Sequence, residues 1–190
     1  MRKGSLFVLS GPSGVGKGTV LENLLDNYKE VVYSISATTR PRREGEMDGE
    51  DYFFLSDEIF FEMVKENKFI EWAKVHDNYY GTPRDFVDKT LEDGKDIILE
   101  IDIQGAKMVR NNYPDAVYIF LSPPSMEELE NRLNKRGTEN EKNKAIRLRN
   151  AQIELREKEK YNYQIINDNL NEAVDKLRSI LIAEKCRIRK

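Results

Sequence analysis

The stretch LFVLSGPSGVGKGTV, residues 6–20, decides the fold. Four apolar residues, Leu6 to Leu9, run into a loop carrying Gly11, Gly14 and Gly16, and a helix-compatible segment opens at about Gly16. The loop fits G-x-x-x-x-G-K, a pattern whose glycines let backbone N–H groups turn inward around phosphate oxygens. The helix that follows offers its positive end, and Lys17 can reach the β and γ oxygens of a nucleoside triphosphate. The loop runs through Gly11, Pro12, Ser13, Gly14, Val15 and Gly16 to Lys17, with Gly18 and Thr19 after it. A plain glycine-rich strand-to-helix turn is the competing reading, and the flanking strand and helix weigh against it. Gly18 stands where the pattern wants a Ser or Thr hydroxyl that touches magnesium. Thr19 is one residue late, turned about 100° around the helix. No direct side-chain ligation of metal is expected, since Mg2+ can be held by phosphate oxygens and its own waters. That suits an enzyme that uses metal–nucleotide as a substrate.

Outward from this loop, short apolar runs alternate with helical stretches: a helix over roughly 16–28, VVYSISA, then DIILEI, a helix to about 112, AVYIFL, and a helix from 126. Such alternation predicts β-α-β units around a parallel sheet. YQII at 163–166 adds a strand, and LNEAVDKLRSILIAEK has the i, i+3, i+4, i+7 spacing of an amphipathic closing helix. Two segments break the pattern. Between Ser36 and Gly94 lie an arginine-bearing loop, DYFFL, a helix after Ser56, FIEWAKVH, a turn at Asp77-Asn78, NYYGT and a helix opened by Pro83, which predict a small antiparallel lobe. From Ser125 to Lys160 the chain is strongly charged, and two capping boxes, Ser125-x-x-Glu128 and Thr138-x-x-Glu141, predict a helix, a break and a second helix.

The 190 residues carry a net charge of -3, with 39% hydrophobic and 34% charged residues. That balance gives no global basic field, so neither nucleic acid nor an anionic membrane is expected as a partner. No apolar run approaches a membrane span or a signal peptide, and the expected location is the cytoplasm. One cysteine, Cys186, and one histidine, His76, leave little for a disulfide or a zinc site. His76 and Trp72 are read as packing residues.

SISATTRPRREGEMDGEDYFF sets Arg40, Arg42 and Arg43 beside Ser36 and Tyr52. Guanidinium forks fit phosphate bidentately and a tyrosine hydroxyl adds a donor, which makes this a candidate second phosphate site; alone, it reads as a solvated charged loop. FIEWA places Glu71 in an otherwise apolar strand shortly before Tyr79, Tyr80 and Thr82, and an exposed carboxylate on a polar face is the ordinary alternative. ILEIDIQGA ends a strand with Glu100 and Asp102, positioned either for substrate at the carboxyl edge of a sheet or for strand-end capping. Arg132, Arg136, Arg147 and Arg149 stand on the charged helices, where most side chains form a solvated face and a subset could close on phosphates.

GPSGVGKGT, SATTRPRREGE, GEDYFF, FIEWA, YYGTP, LEIDIQGA, SPPS and RLNKRGTE, in this order over essentially the full length, resemble the guanylate kinase family of the bacterial type. The resemblance implies a P-loop nucleoside monophosphate kinase fold of class α/β: a parallel sheet core with helices on both faces, a small α+β lobe that binds GMP and a helical lid over ATP. It divides the chain into a core of 1–35, 95–125 and 161–190, a GMP lobe of 36–94 and a lid of 126–160. It implies transfer of the γ-phosphoryl of ATP to GMP, with dGMP as a further acceptor and Mg2+ accompanying ATP. Lys17 and the 11–19 backbone would serve ATP; Arg40, Arg43, Tyr52 and Tyr80 the GMP phosphate; Ser36, Glu71, Thr82 and Asp102 the guanine; and Arg132, Arg136 and Arg147, with Lys17 and Arg40, the transferring phosphoryl. A non-catalytic interaction module of the same fold and a kinase for another nucleoside monophosphate are the alternatives; the intact Lys17 loop counts against the first, FIEWA and YYGTP against the second.

Overall fold

The computed structural model describes residues 3–75, 77–135 and 141–188. Its elements in chain order are β1 (Leu6–Ser10), α1 (Lys17–Asn27), β2 (Val31–Tyr33), β3 (Ala37–Thr38), β4 (Phe53–Phe54), α2 (Asp57–Lys65), β5 (Phe69–Val75) and β6 (Asn78–Pro83), followed by α3 (Arg84–Glu92), β7 (Asp96–Glu100) and α4 (Ile103–Asn112). The chain continues through β8 (Val117–Ser122), α5 (Met126–Lys135), α6 (Glu141–Glu154), a 3-10 turn over Leu155–Lys160, β9 (Tyr163–Ile166) and α7 (Leu170–Lys185). The larger sheet has the strand order β2-β7-β1-β8-β9, and the smaller the order β4-β3-β6-β5. Among the described residues no helix is long and apolar enough to cross a membrane.

The chain folds into two compact units, the first made of the residues up to Phe7 with Glu30–Ala116. In it β2 and β7 pair in parallel, Val32 opposite Ile97, and the Asp96 carboxylate accepts from the Ser5 backbone N–H at 2.7 Å. The smaller sheet belongs wholly to this unit. β5 and β6 are antiparallel, with Glu71 opposite Thr82 and Val75 opposite Asn78, and β6 pairs antiparallel with β3. The expectation of an all-antiparallel lobe needs correction at one strand: β4 pairs with β3 in parallel, Ala37 opposite Phe53. The reason is the long connection over residues 39–52, since a parallel neighbour requires a crossover of about a dozen residues or more. Ala37, Phe60 and Phe69 form the lobe's core, with the rings of Phe60 and Phe69 stacked at 4.7 Å. Ser56 caps α2 by accepting from the Ile59 N–H at 3.3 Å. Trp72 meets Phe60 and Phe61 edge-on but is 36% exposed, so it packs at the surface of the lobe and not in its core; His76 lies outside the described residues.

The second unit comprises Val8–Lys29 and the chain from Val117 onward. All of β8 is buried, as its unbroken apolar run requires, and it pairs with β9 in parallel, Ile119 opposite Tyr163 and Ser122 opposite Ile166. The closing helix α7 buries Ala173, Leu177 and Leu181, one per turn, and packs against α1, which buries Val20, Leu21 and Leu24. Between α5 and α6, Leu129, Leu133 and Ala151 make a small core of their own. Ser125 caps α5 through the Glu128 N–H at 3.0 Å. Thr138 of the second capping box lies outside the described residues.

Candidate functional site

In the second unit β1 ends at Ser10, the loop turns through Gly11–Gly16, and α1 starts at Lys17. Gly16 takes the N-cap position with φ 95°, a left-handed conformation that suits glycine. No side chain caps this helix end, whose positive pole suits an anion. Lys17 arches back over the loop, its Nζ donating to the Gly11 carbonyl at 2.7 Å and the Pro12 carbonyl at 3.3 Å. Gly18 supplies no side-chain oxygen, and Thr19, the third residue of the helix, is exposed.

The sequence expected Arg132 at the transferring phosphoryl. Its guanidinium donates to the Glu128 carboxylate at 2.8 Å, the Asn167 carbonyl at 2.9 Å and the Val15 carbonyl at 3.3 Å. Asn167 adds its own side-chain donation to the Val15 carbonyl, at 2.8 Å. Arg147 is half-buried on α6, and Arg136 lies outside the described residues.

In the first unit Arg40, Tyr52 and Tyr80 form a polar-aromatic cluster. The Arg40 guanidinium carbon stands 5.5 Å from the Tyr52 ring centre, and the Tyr52 and Tyr80 rings meet edge to face at 6.0 Å. Arg40 donates to Glu46 Oε1 at 2.7 Å and to the Pro41 carbonyl at 2.8 Å, while Glu46 Oε2 accepts from the Arg43 N–H at 2.8 Å. This pairing raises the Arg40 pKa and lowers that of Glu46. Burial, with the Glu100 and Tyr80 charges adding, pushes the Tyr52 hydroxyl up to about 12, so it stays a proton donor at neutral pH. Arg42 and Arg43 are exposed.

The same unit buries a lone carboxylate. Glu71 is 6% exposed, and its Oε1 accepts from the Thr82 hydroxyl at 2.6 Å across the β5–β6 pair. A Cβ at Gly105 would stand 2.5 Å from Glu71 Oε2, so glycine there leaves the carboxylate its place. Desolvation raises the Glu71 carboxyl to about 7, helped by the Asp102 charge and opposed by the Thr82 hydrogen bonds. The exposed-face reading of Glu71 is thereby replaced. Asp102 is the N-cap of α4, accepting from the Gly105 N–H at 2.7 Å, so it caps the following helix and not the strand end, and its charge is felt at Glu71. Ser36 is half-buried, and its carbonyl accepts from the Phe53 N–H at 2.9 Å. Among the described residues no group of three or more His, Cys, Asp or Glu could hold a metal ion.

A donor-lined anion loop, a cationic cluster with two tyrosines and a buried carboxylate are together the parts a nucleotide phosphotransferase needs. A family model described as guanylate kinase matches residues 3–184. The chain belongs to the guanylate kinase family. It is 55% identical over 187 residues to the guanylate kinase of Caldanaerobacter subterraneus subsp. tengcongensis, covering 98% of this chain and 91% of that one. It is 53% identical to the guanylate kinase of Clostridium tetani, over 99% and 90% of the two chains. The crystal structure of guanylate kinase from Anaplasma phagocytophilum superposes with a TM-score of 0.82 at 36% identity, covering 98% of this chain and 88% of that one.

Two residues of this guanylate kinase family member escaped the sequence reading. Glu46 lies inside the arginine stretch, but nothing in a charge pattern says which acid holds which arginine. Asn167 sits 152 residues from Val15, and an asparagine after a strand carries no local signal of that contact.

Proposed function

We propose that the protein transfers the γ-phosphoryl of ATP to GMP, and to dGMP, giving ADP and GDP or dGDP, in the cytoplasm. The observation that carries the reading is the buried Glu71–Thr82 pair. Guanine offers N1–H and an N2 amine as donors and O6 as an acceptor. Ionised Glu71 accepts both donors, so GMP takes up the carboxylate in its charged form and its binding releases the proton held near neutrality. Thr82 has one hydroxyl proton. Giving it to O6 withdraws it from Glu71, where the two guanine donors replace it. Ser36 and Asp102 border this base.

Arg40, Arg43, Tyr52 and Tyr80 bind the GMP phosphate, the arginines as forks and the tyrosines as neutral donors. The Gly11–Thr19 backbone and Lys17 bind the ATP phosphates. Position 18 offers no side-chain oxygen, so the donor set fits Mg2+ that arrives on ATP, held by phosphate oxygens and water and neutralising their charge. Lid residues Arg132, Arg136 and Arg147 approach the transferring phosphoryl as 126–160 closes; 36–94 carries GMP, and 1–35, 95–125 and 161–190 carry the phosphate loop. No strong base is required, because phosphoryl transfer rests on positioning and charge neutralisation. A coupled ADP-release assay with GMP, AMP, UMP and CMP tests the proposal: turnover is expected with GMP, and equal turnover with AMP, or none with GMP, would overturn it.

A further inference from the structure

The phosphate loop carries a contact that the family pattern does not explain. Val15 sits in the middle of G-x-x-x-x-G-K, and its carbonyl oxygen accepts from Asn167 Nδ2 at 2.8 Å and Arg132 Nη1 at 3.3 Å. Asn167 is itself held on two further sides. Its backbone N–H donates to the Ser122 carbonyl at 2.8 Å, continuing the β8–β9 pairing, and its carbonyl accepts from Arg132 Nη2 at 2.9 Å. Only 7% of the residue is exposed.

The peptide linking Val15 to Gly16 is planar and trans, so its C=O and N–H point in opposite directions. Whatever fixes the Val15 oxygen fixes the Gly16 N–H. A flip of this peptide turns ψ of Val15 against φ of Gly16, and Gly16, already at φ 95°, has no Cβ to oppose it on that side. A flip would remove one N–H donor from the loop and aim a carbonyl oxygen, a partial negative charge, at an anion. We infer that Asn167 is a positioning residue for the ATP phosphates: seated at the end of β9, it locks the Val15–Gly16 peptide with the Gly16 N–H turned away from the clamp, as a phosphate donor. A Cβ at position 16 would stand 2.7 Å from Asn167 Nδ2 and would push that amide off its seat. The inference rests on the reading of this loop as the ATP site.

The test compares Asn167→Ala with Asn162→Ala, since Asn162 accepts from the Tyr118 N–H at 2.7 Å at the opposite end of the same strand pair. Both variants lose one side-chain contact of β9, and both should melt a few degrees lower. Calorimetry with ATP should show about tenfold weaker binding for Asn167→Ala, with GMP affinity within twofold of the unmodified protein and Asn162→Ala unaffected for either ligand. Asn167→Ser, whose hydroxyl is too short to span the gap, should behave as Asn167→Ala and serves if the alanine variant does not fold. In the unmodified protein the Asn167 side-chain NH2 resonances should shift on addition of ATP and not of GMP. ATP affinity within twofold in the Asn167 variants, an equal loss in Asn162→Ala, or NH2 resonances indifferent to ATP would each overturn the inference. Failure of the unmodified protein to phosphorylate GMP would sink the functional reading alone, because ATP binding reports the clamp without turnover.

Discussion

Replacing Glu71 by Gln should weaken the enzyme and strengthen the protein, in amounts that depend on pH. Gln has the same shape and can still accept from Thr82, so the β5–β6 pair is kept. In the fold the Glu71 carboxyl titrates near 7 against an ordinary 4.5, because it is desolvated. The folded protein therefore keeps a proton that the unfolded chain gives up. The contribution of this group to stability is greatest below pH 4.5 and declines as pH rises to 7. Between pH 5 and pH 8 the decline is about 2–3 kcal/mol, and Glu71→Gln escapes it. For a chain of this size that corresponds to a melting point about 5–10 °C higher, relative to the parent, at pH 8 than at pH 5. Activity should move the other way. Two guanine donors lose a charged acceptor worth roughly 1.5–3 kcal/mol each, so kcat/KM for GMP should fall about 10²-fold to 10⁴-fold at pH 8. The gap to AMP should narrow, because the amide can donate to the bare adenine N1. Melting curves at both pH values, with kcat/KM for GMP and AMP, check all of this. Parallel melting profiles together with full GMP activity would mean that Glu71 neither titrates near neutrality nor touches the base.

Lys17→Ala should remove most phosphoryl transfer while leaving GMP affinity intact, which calorimetry measures directly; GMP affinity lost along with turnover would contradict the division into two phosphate sites. Arg40→Lys keeps a charge but loses the fork held by Glu46 and Pro41, so KM for GMP should rise about tenfold with ATP affinity unchanged. If Arg147 reaches the phosphoryl on closure, Arg147→Ala should lower kcat more than it weakens GMP binding, and the same holds for Arg136→Ala. An unchanged kcat in both variants would end the assignment of these arginines to the transferring phosphoryl.

What the sequence made legible was contiguous. The phosphate loop could be read because strand, glycines, lysine and helix follow one another in fifteen residues, and Glu71 because a carboxylate in an apolar strand contradicts its surroundings. The direction of β4 could not be read: a two-residue strand has no periodicity, and its sense comes from the path of the 39–52 connection. Asp102 reads in the sequence as a substrate contact or a strand-end cap, and only geometry revealed the cap on α4. Asn167 and Glu46 were hidden for a different reason. Each acts by aiming another group, and a residue's aim at a partner is a property of the folded coordinates.

Trp72 is the single tryptophan of the chain, seated beside Phe61 and Tyr79 in the lobe that carries Glu71. Its emission is thus a natural optical label for one unit, excited directly or by transfer from Tyr79 at 6.2 Å between ring centres. Glu71 and Trp72 are consecutive on β5 and so face opposite sides of the sheet. The indole accordingly reports the aromatic packing on the side of β5 away from Glu71, while the glycine loop belongs to a unit without an indole. Backbone circular dichroism sums over both units. A denaturation followed by the two signals at once therefore asks whether the lobe melts with the rest of the chain or ahead of it, and no label has to be introduced to find out.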